Sequence, residues 1–150
     1  FPESWIWLQS NHFSNSDACI MISIARIPWL GSFFVGFLGF FYYDGTFYPF
    51  STYLNSEITR LQRDEQKLFI EVRGKDHTLR VSAGISQTGL LRAPKSGEMS
   101  RHIKESIDSE LEVSLTSRKG ALVYKDHATR AGLEVIDSIF DIVKIKPGSR

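Results

Sequence analysis

The sequence predicts an all-β fold, an antiparallel barrel or sandwich, and three observations carry that prediction. Short runs alternate apolar and polar residues with a period of two. Leu68, Ile70 and Val72 oppose Phe69, Glu71 and Arg73; Leu79, Val81 and Ala83 oppose Arg80 and Ser82; Leu111, Val113 and Leu115 oppose Glu110, Glu112 and Ser114. Turn-forming residues separate these runs, at Gly74-Lys75-Asp76, Ser96-Gly97 and Lys119-Gly120. No 3.6-residue apolar pattern persists long enough for a major helix. Strands with one wet face belong to antiparallel sheets, and many short ones in succession make barrels or sandwiches.

The first element is a strand over residues 5–13. One face carries Trp5, Trp7, Gln9, Asn11 and Phe13, the other Ile6, Leu8, Ser10 and His12. Two indoles followed by two amides along one line can floor a pocket, the rings as apolar wall and the amides as fixed hydrogen-bonding groups. The same pattern also describes a core strand whose Gln9 and Asn11 satisfy neighbouring backbone. If Ile6 and Leu8 instead face outward, a large apolar patch is exposed. Ser14-Asn15-Ser16-Asp17 reads as a turn. Residues 18–27 form a second strand, which Pro28 ends because it has no N–H to donate to a ladder.

Residues 27–43 carry no charge, and their length lies at the lower limit for a membrane-spanning helix, near 17 residues. Phe, Val and Tyr dominate the run, and Asp44-Gly45 divides Phe41-Tyr42-Tyr43 from Thr46-Phe47-Tyr48, a strong hairpin signal. The run therefore reads as strands, with Gly31, Gly36 and Gly39 easing the sheet where it bends. Residues 137–143 are the one short C-terminal helix, with Asp137 or Ser138 as N-cap. Residues 1–143 make up the barrel, and 144–150 form a polar, flexible tail.

Composition narrows the chemistry. Net charge is +1 and the basic residues are scattered, so no field favours nucleic acid. Cys19 is the lone cysteine, which rules out an intramolecular disulfide and multi-cysteine zinc, and fits a reducing compartment. His12, His77, His102 and His127 are dispersed, so each reads as a surface residue and no metal site is expected. No nucleophile elbow, P-loop or dinucleotide fingerprint occurs. The chain opens at Phe1 without an initiator Met and reads as a segment of a longer protein.

Five segments together resemble a known family. They are Phe1-Pro2 with Trp5, Trp7, Gln9, Asn11 and Phe13; Ala25-Arg26-Ile27-Pro28-Trp29-Leu30-Gly31; Gly45 with Tyr48; Leu91-Arg92-Ala93-Pro94; and Ala131-Gly132-Leu133-Glu134-Val135. In this order they are similar to the C-terminal part of tocopherol cyclases and their bacterial relatives, the first and last segments being the specific ones. The resemblance implies a lipocalin-like (calycin-like) β-barrel, one of two in a longer protein, with the N-terminal barrel as its partner. It implies chromanol ring closure on a prenylated benzoquinol, an intramolecular lyase or isomerase reaction of vitamin E biosynthesis needing no cofactor. An acid protonates an alkene, the phenol oxygen attacks the tertiary cation, and a base takes the phenol proton. The alternative is a non-catalytic barrel binding a hydrophobic prenyl lipid.

On this resemblance Trp5, Trp7, Trp29, Tyr42 and Tyr48 line the substrate, and Gln9 and Asn11 hold its hydroxyls. Glu134 and Asp44 are the candidate acids, with Tyr42 and Tyr48 as relays; on the residues alone, Asp44 reads as a turn residue, Glu134 as the ion-pair partner of a base such as Arg26, and Tyr42 and Tyr48 as plain core tyrosines. The protein is expected in the cytoplasm or at a membrane surface in a bacterium, or in a plastid in a plant or alga, with the aromatic run as a membrane contact.

Overall fold

The computed structural model describes residues 3–14, 17–85, 89–95 and 98–145. The strands are β1 (Trp5–Ser10), β2 (His12–Phe13), β3 (Ala18–Trp29), β4 (Ser32–Tyr43), β5 (Thr46–Ser51), β6 (Glu57–Arg63), β7 (Lys67–Arg73), β8 (His77–Gly84), β9 (Gly89–Lys95), β10 (Glu98–Ser117) and β11 (Leu122–Val135). A 3-10 turn, Thr52–Leu54, joins β5 to β6, and α1 (Ile139–Ile142) follows β11. All pairing is antiparallel, in the order β5-β4-β3-β1-β11-β10-β8-β7-β6.

This order is an up-and-down meander closed by its own ends, with β11 returning to β1 (Leu8 opposite Leu133). The sheet curls into a nearly closed antiparallel β-barrel, as the alternating strands predict. Its one seam lies between β5 and β6. There Ser56 N–H donates to the Ser51 carbonyl at 3.0 Å, and the Ser51 N–H donates to Ser56 Oγ at 3.2 Å. The Tyr48 ring meets His77 edge-on across the opening, at 4.9 Å between centroids.

The barrel axis is filled by side chains. Ile6, Leu8, Ile20, Ile22, Ile24, Phe41, Leu68, Ile70, Leu79, Leu111, Val113, Leu115 and Leu133 are all buried in one cluster. The three amphipathic runs that predict the fold supply most of one wall. Burying such a side chain contributes about 1.5–3 kcal/mol, so parity along each strand is fixed by its aliphatic members. Helix α1 stoppers one end through Ile139, which is fully buried, and Asp137 ties it to β6 by an ion pair with Arg63 at 3.0 Å. The expected N-cap differs in detail: Ser138 occupies the position, but its hydroxyl bonds Ser4 rather than the helix backbone.

The other end is packed with aromatics. Tyr124 lies 4.5 Å from Tyr43, 4.9 Å from Phe41 and 5.9 Å from Phe13 between ring centroids. Beneath them sits Asp126, only 8% exposed, the one buried charged residue among the described residues. Tyr124 Oη donates to it at 3.0 Å, the His127 N–H at 2.7 Å, and the Ser14 hydroxyl completes the set.

Two expectations about strand limits change. β3 does not stop at Ile27 but runs through Pro28 to Trp29. The Arg26 N–H donates to the Ser4 carbonyl, so even-numbered residues of β3 face β1. β1 begins at Trp5, hence Pro28 points its nitrogen at a side where no described strand pairs, and proline is tolerated there. The first strand breaks at Asn11, because Ser10 Oγ accepts from His12 N–H at 3.2 Å and donates to the Thr129 carbonyl at 2.8 Å. The uncharged run over residues 27–43 is strand, as read. Asp44 (φ 47°) and Gly45 (φ 76°) make the hairpin turn, and Leu30 (φ 45°) and Gly31 (φ 75°) make a second one of the same hand. Ser96-Gly97 and residues 146–150 of the expected tail lie outside the described residues.

Two stability predictions follow from the carboxylates. Replacing Asp126 by Ala removes an acceptor of the Tyr124 hydroxyl and of the half-buried His127 N–H, and is expected to lower unfolding free energy by about 2–4 kcal/mol in a denaturant titration. Asp64 Oδ1 accepts the N–H groups of Gln66 and Lys67 at 2.7 Å each, which holds its carboxyl below the usual carboxylate range. A folded-state value below the unfolded one adds stability above the unfolded value, near pH ~3.9, and loses it as pH falls through the folded value. Asp64→Ala is therefore expected to melt earlier than the wild type at neutral pH, with the gap closing in acid.

Candidate functional site

β1 decides which side of the sheet carries polar chemistry. Ile6 and Leu8 are fully buried in the barrel, and Ser10 points in with them. Trp5, Trp7 and Gln9 consequently lie on the outer face, half-buried. This reverses the expectation that the indoles and amides floor a closed cavity. The reason is volume and polarity: a packed axis admits β-branched and Leu side chains readily, whereas each indole is wide and carries an N–H that needs a partner.

The outer face is nevertheless built. Trp7 stands opposite Ser23 of β3 and Glu134 of β11, and Gln9 stands opposite Met21 and Gly132. Gly132 makes room there: a Cβ at that position would come within 3.0 Å of Trp7 Cζ3, so the missing side chain lets the indole lie across β11 without shifting. Trp5 Nε1–H donates to Glu134 Oε2 at 2.9 Å. Glu134 Oε1 has no partner among the described residues. Glu105 of β10 is the cross-strand neighbour of Glu134, so two half-buried carboxylates share this face beside two indoles. Leu38, Phe40, Tyr42 and Phe47 continue the same face along β4 and β5, with Phe40 and Phe47 ring centroids 5.3 Å apart.

Chemically, this arrangement offers two carboxyl groups of the kind that exchange protons, one oriented by an indole N–H, against an aromatic wall able to face a cation. The expected pairing of Glu134 with Arg26 is not formed. Arg26 points toward the barrel end, where it pairs with Glu3 and lies over the Phe33 ring at 4.0 Å.

The other expected residues are dispersed. Asn11 is exposed at the break after β1 and is not part of a pocket floor. Asp44 is exposed in its hairpin turn, away from Glu134. Trp29 stands at the tip of the β3–β4 hairpin, 63% exposed, four residues beyond the partner of Trp5 and so roughly 13 Å further on. Tyr42 shares the outer face but sits opposite Cys19 and Phe47, with β3 and β1 between it and Glu134. Tyr48 turns inward, stacked on Phe41 at 6.3 Å, as a core residue. His12 is exposed, His77 packs on Tyr48, and His127 pairs with Glu112 at 2.9 Å.

Sequence reasoning missed Glu105 and Asp126. Glu105 lies in a run without family signal, and only strand pairing brings it to Glu134. Asp126 follows Tyr124 with inward parity, a pattern visible in retrospect, but its three donors mark it as a structural tie in the core.

The family model described as "Tocopherol cyclase-like" matches residues 1–136. No curated protein and no solved structure matched. The matched region spans the barrel from its first strand through Glu134, so the chain belongs to the tocopherol cyclase-like family.

Proposed function

We propose that this barrel supplies the catalytic wall of a cyclase that closes a chromanol ring on a prenylated benzoquinol. The observation that carries the reading is the Trp5–Glu134 hydrogen bond of 2.9 Å, which orients a carboxyl group on an aromatic face within a tocopherol cyclase-like chain. A carboxylic acid delivers its proton to the less substituted carbon of the prenyl alkene. The tertiary cation that results is met by the faces of Trp5 and Trp7, each contributing roughly 0.5–2 kcal/mol when water is excluded. The phenol oxygen attacks the cation, and its proton passes to the second carboxylate. Glu134 and Glu105 are the pair that can divide these roles. Gln9 holds a ring hydroxyl of the quinol. The product is an isomer of the substrate, so atoms and charge balance between the two carboxyl groups.

The site lies on the outside of the barrel, so exclusion of water requires a cover. In this reading the cover is the other barrel of the longer protein, laid against Trp5, Trp7 and Phe40. A calyx holding the prenyl lipid inside this barrel, the form of the non-catalytic alternative, finds its axis filled by Ile6, Leu8, Phe41, Leu111 and Leu133.

The test uses the full-length protein with 2-methyl-6-phytyl-1,4-benzoquinol and chromatographic detection of the chromanol. Glu134→Gln is expected to lower kcat by about 10²-fold or more, and Glu105→Gln by a comparable factor. Trp5→Phe keeps the ring but removes the N–H that orients Glu134, and is expected to cost roughly 3–10-fold in kcat. Wild-type turnover by Glu134→Gln would overturn the assignment. Saturable quenching of tryptophan fluorescence without chromanol would leave the protein a binder.

A further inference from the structure

The β3–β4 hairpin outgrows both of its neighbours. On one side β1 begins only at Trp5, opposite Ala25. On the other, β5 covers β4 from Leu38 to Tyr43 and stops at Ser51. Among the described residues, 27–36 are thus a projecting two-stranded ribbon. Its β3 edge is blunted by Pro28, a usual protection of sheet edges. Its β4 edge has no such guard.

The direction of the free groups on β4 can be read from the ladder. Phe37 N–H donates to Thr52 Oγ1 at 2.9 Å, and the same hydroxyl donates back to the Phe37 carbonyl at 3.3 Å. Odd-numbered residues of β4 therefore turn their backbone toward the β5 side, and the Thr52 side chain satisfies the last of them. Beyond it, the N–H and C=O of Phe33 and Val35 point off the edge, and no described strand lies there to receive them. The residues around them are Ser32, Phe34 and Gly36, all uncharged.

We propose that this edge, residues 32–36, pairs antiparallel with the same edge of a second copy of the chain about a two-fold axis at Phe34. Phe33 of each copy then stands opposite Val35 of the other, and four backbone hydrogen bonds close the gap. Phe34 meets its symmetry mate across a non-hydrogen-bonded position, where side chains approach most closely. Gly36 faces Ser32, small residues that leave room for the two rings, and Trp29 backs Phe34 at 6.5 Å. No like charges oppose one another anywhere along the pairing.

The ends of the edge fit the same arrangement. The hairpin tip presents Leu30, 89% exposed, and the 3-10 turn at the far end presents Tyr53, 92% exposed, with Leu54 also exposed. A two-fold axis at Phe34 brings the tip of each copy to the turn of the other, so the most exposed apolar groups of one end are covered by those of the other. A strand supplies donors and acceptors to Phe33 and Val35; hydrocarbon supplies none, which favours a protein strand over a lipid surface for this edge.

The test is sedimentation equilibrium of the chain over a concentration series, together with amide hydrogen exchange. A monomer–dimer equilibrium is expected, with exchange at Phe33 and Val35 slowing as concentration rises. Val35→Pro deletes an edge N–H that has no internal partner and is expected to keep the circular dichroism of the wild type while abolishing the dimer. Phe34→Lys and Phe34→Asp each place like charges on the axis and are expected to weaken dimerisation at least ~10-fold, whereas their equimolar mixture recovers it. That mixture decides the matter should Val35→Pro fail to fold. A wild-type chain that stays monomeric throughout overturns the proposal, as does a Val35→Pro dimer of wild-type strength or a charge mixture that does not pair. Sedimentation of the monomer with phosphatidylcholine–phosphatidylglycerol vesicles, without self-association, overturns it in favour of lipid.

Discussion

The packing of Ile6 and Leu8 into the barrel axis is the constraint on which the remainder turns. Side chains alternate strictly along a strand, so once two aliphatic residues are committed to the interior, their neighbours have no choice of face. Trp5, Trp7 and Gln9 go outside because Ile6 and Leu8 go inside. The ladder then propagates that decision sideways, to Ser23 and Met21 on β3 and to Glu134 and Gly132 on β11. The outer wall with its oriented carboxyl group is the complement of the core, fixed by the same register.

The two faces divide the residues of the barrel between packing and polar display. The interior is spent on stability, with aliphatic side chains along the axis, a helix stopper at one end and an aromatic plug over Asp126 at the other. The oriented carboxyl group and the aromatic surface beside it fall to the outside. There a glycine at position 132 gives the Trp7 ring its bed, and the Trp5 N–H fixes Glu134. The outer wall is only half-buried, so its electrostatics depend on whatever covers it.

The fold was legible in the sequence because its signals are local. Leu68–Ile70–Val72 and its two companions show period-two alternation with no competing helical pattern, and Asp44-Gly45 names its own turn. The site was half legible. Which residues of β1 share a face could be read, but not which face is the outer one, since Trp5–Trp7–Gln9 and Ile6–Leu8–Ser10 are both coherent stripes and a shift of one residue exchanges them. Volume decided the matter, and volume is a property of the whole core. Glu105 was invisible for another reason: it joins Glu134 only through a ladder between residues almost thirty positions apart. Pro28 misled because its effect depends on whether a neighbouring strand is present, which no local pattern records.

The way the ring closes has a bearing on how the molecule comes into being. β5 and β6, adjacent in the chain, leave a seam, while β1 and β11, the first and last long strands, form a continuous ladder. Strands far apart in the chain are thus joined by a continuous ladder, whereas β5 and β6, which follow one another, are not. Chains whose native pairings join distant segments search slowly for them. On a ribosome, β1 can pair with β3 early, but its ladder with β11 cannot form until residue 135 has been made, so the barrel closes last between its first and last long strands.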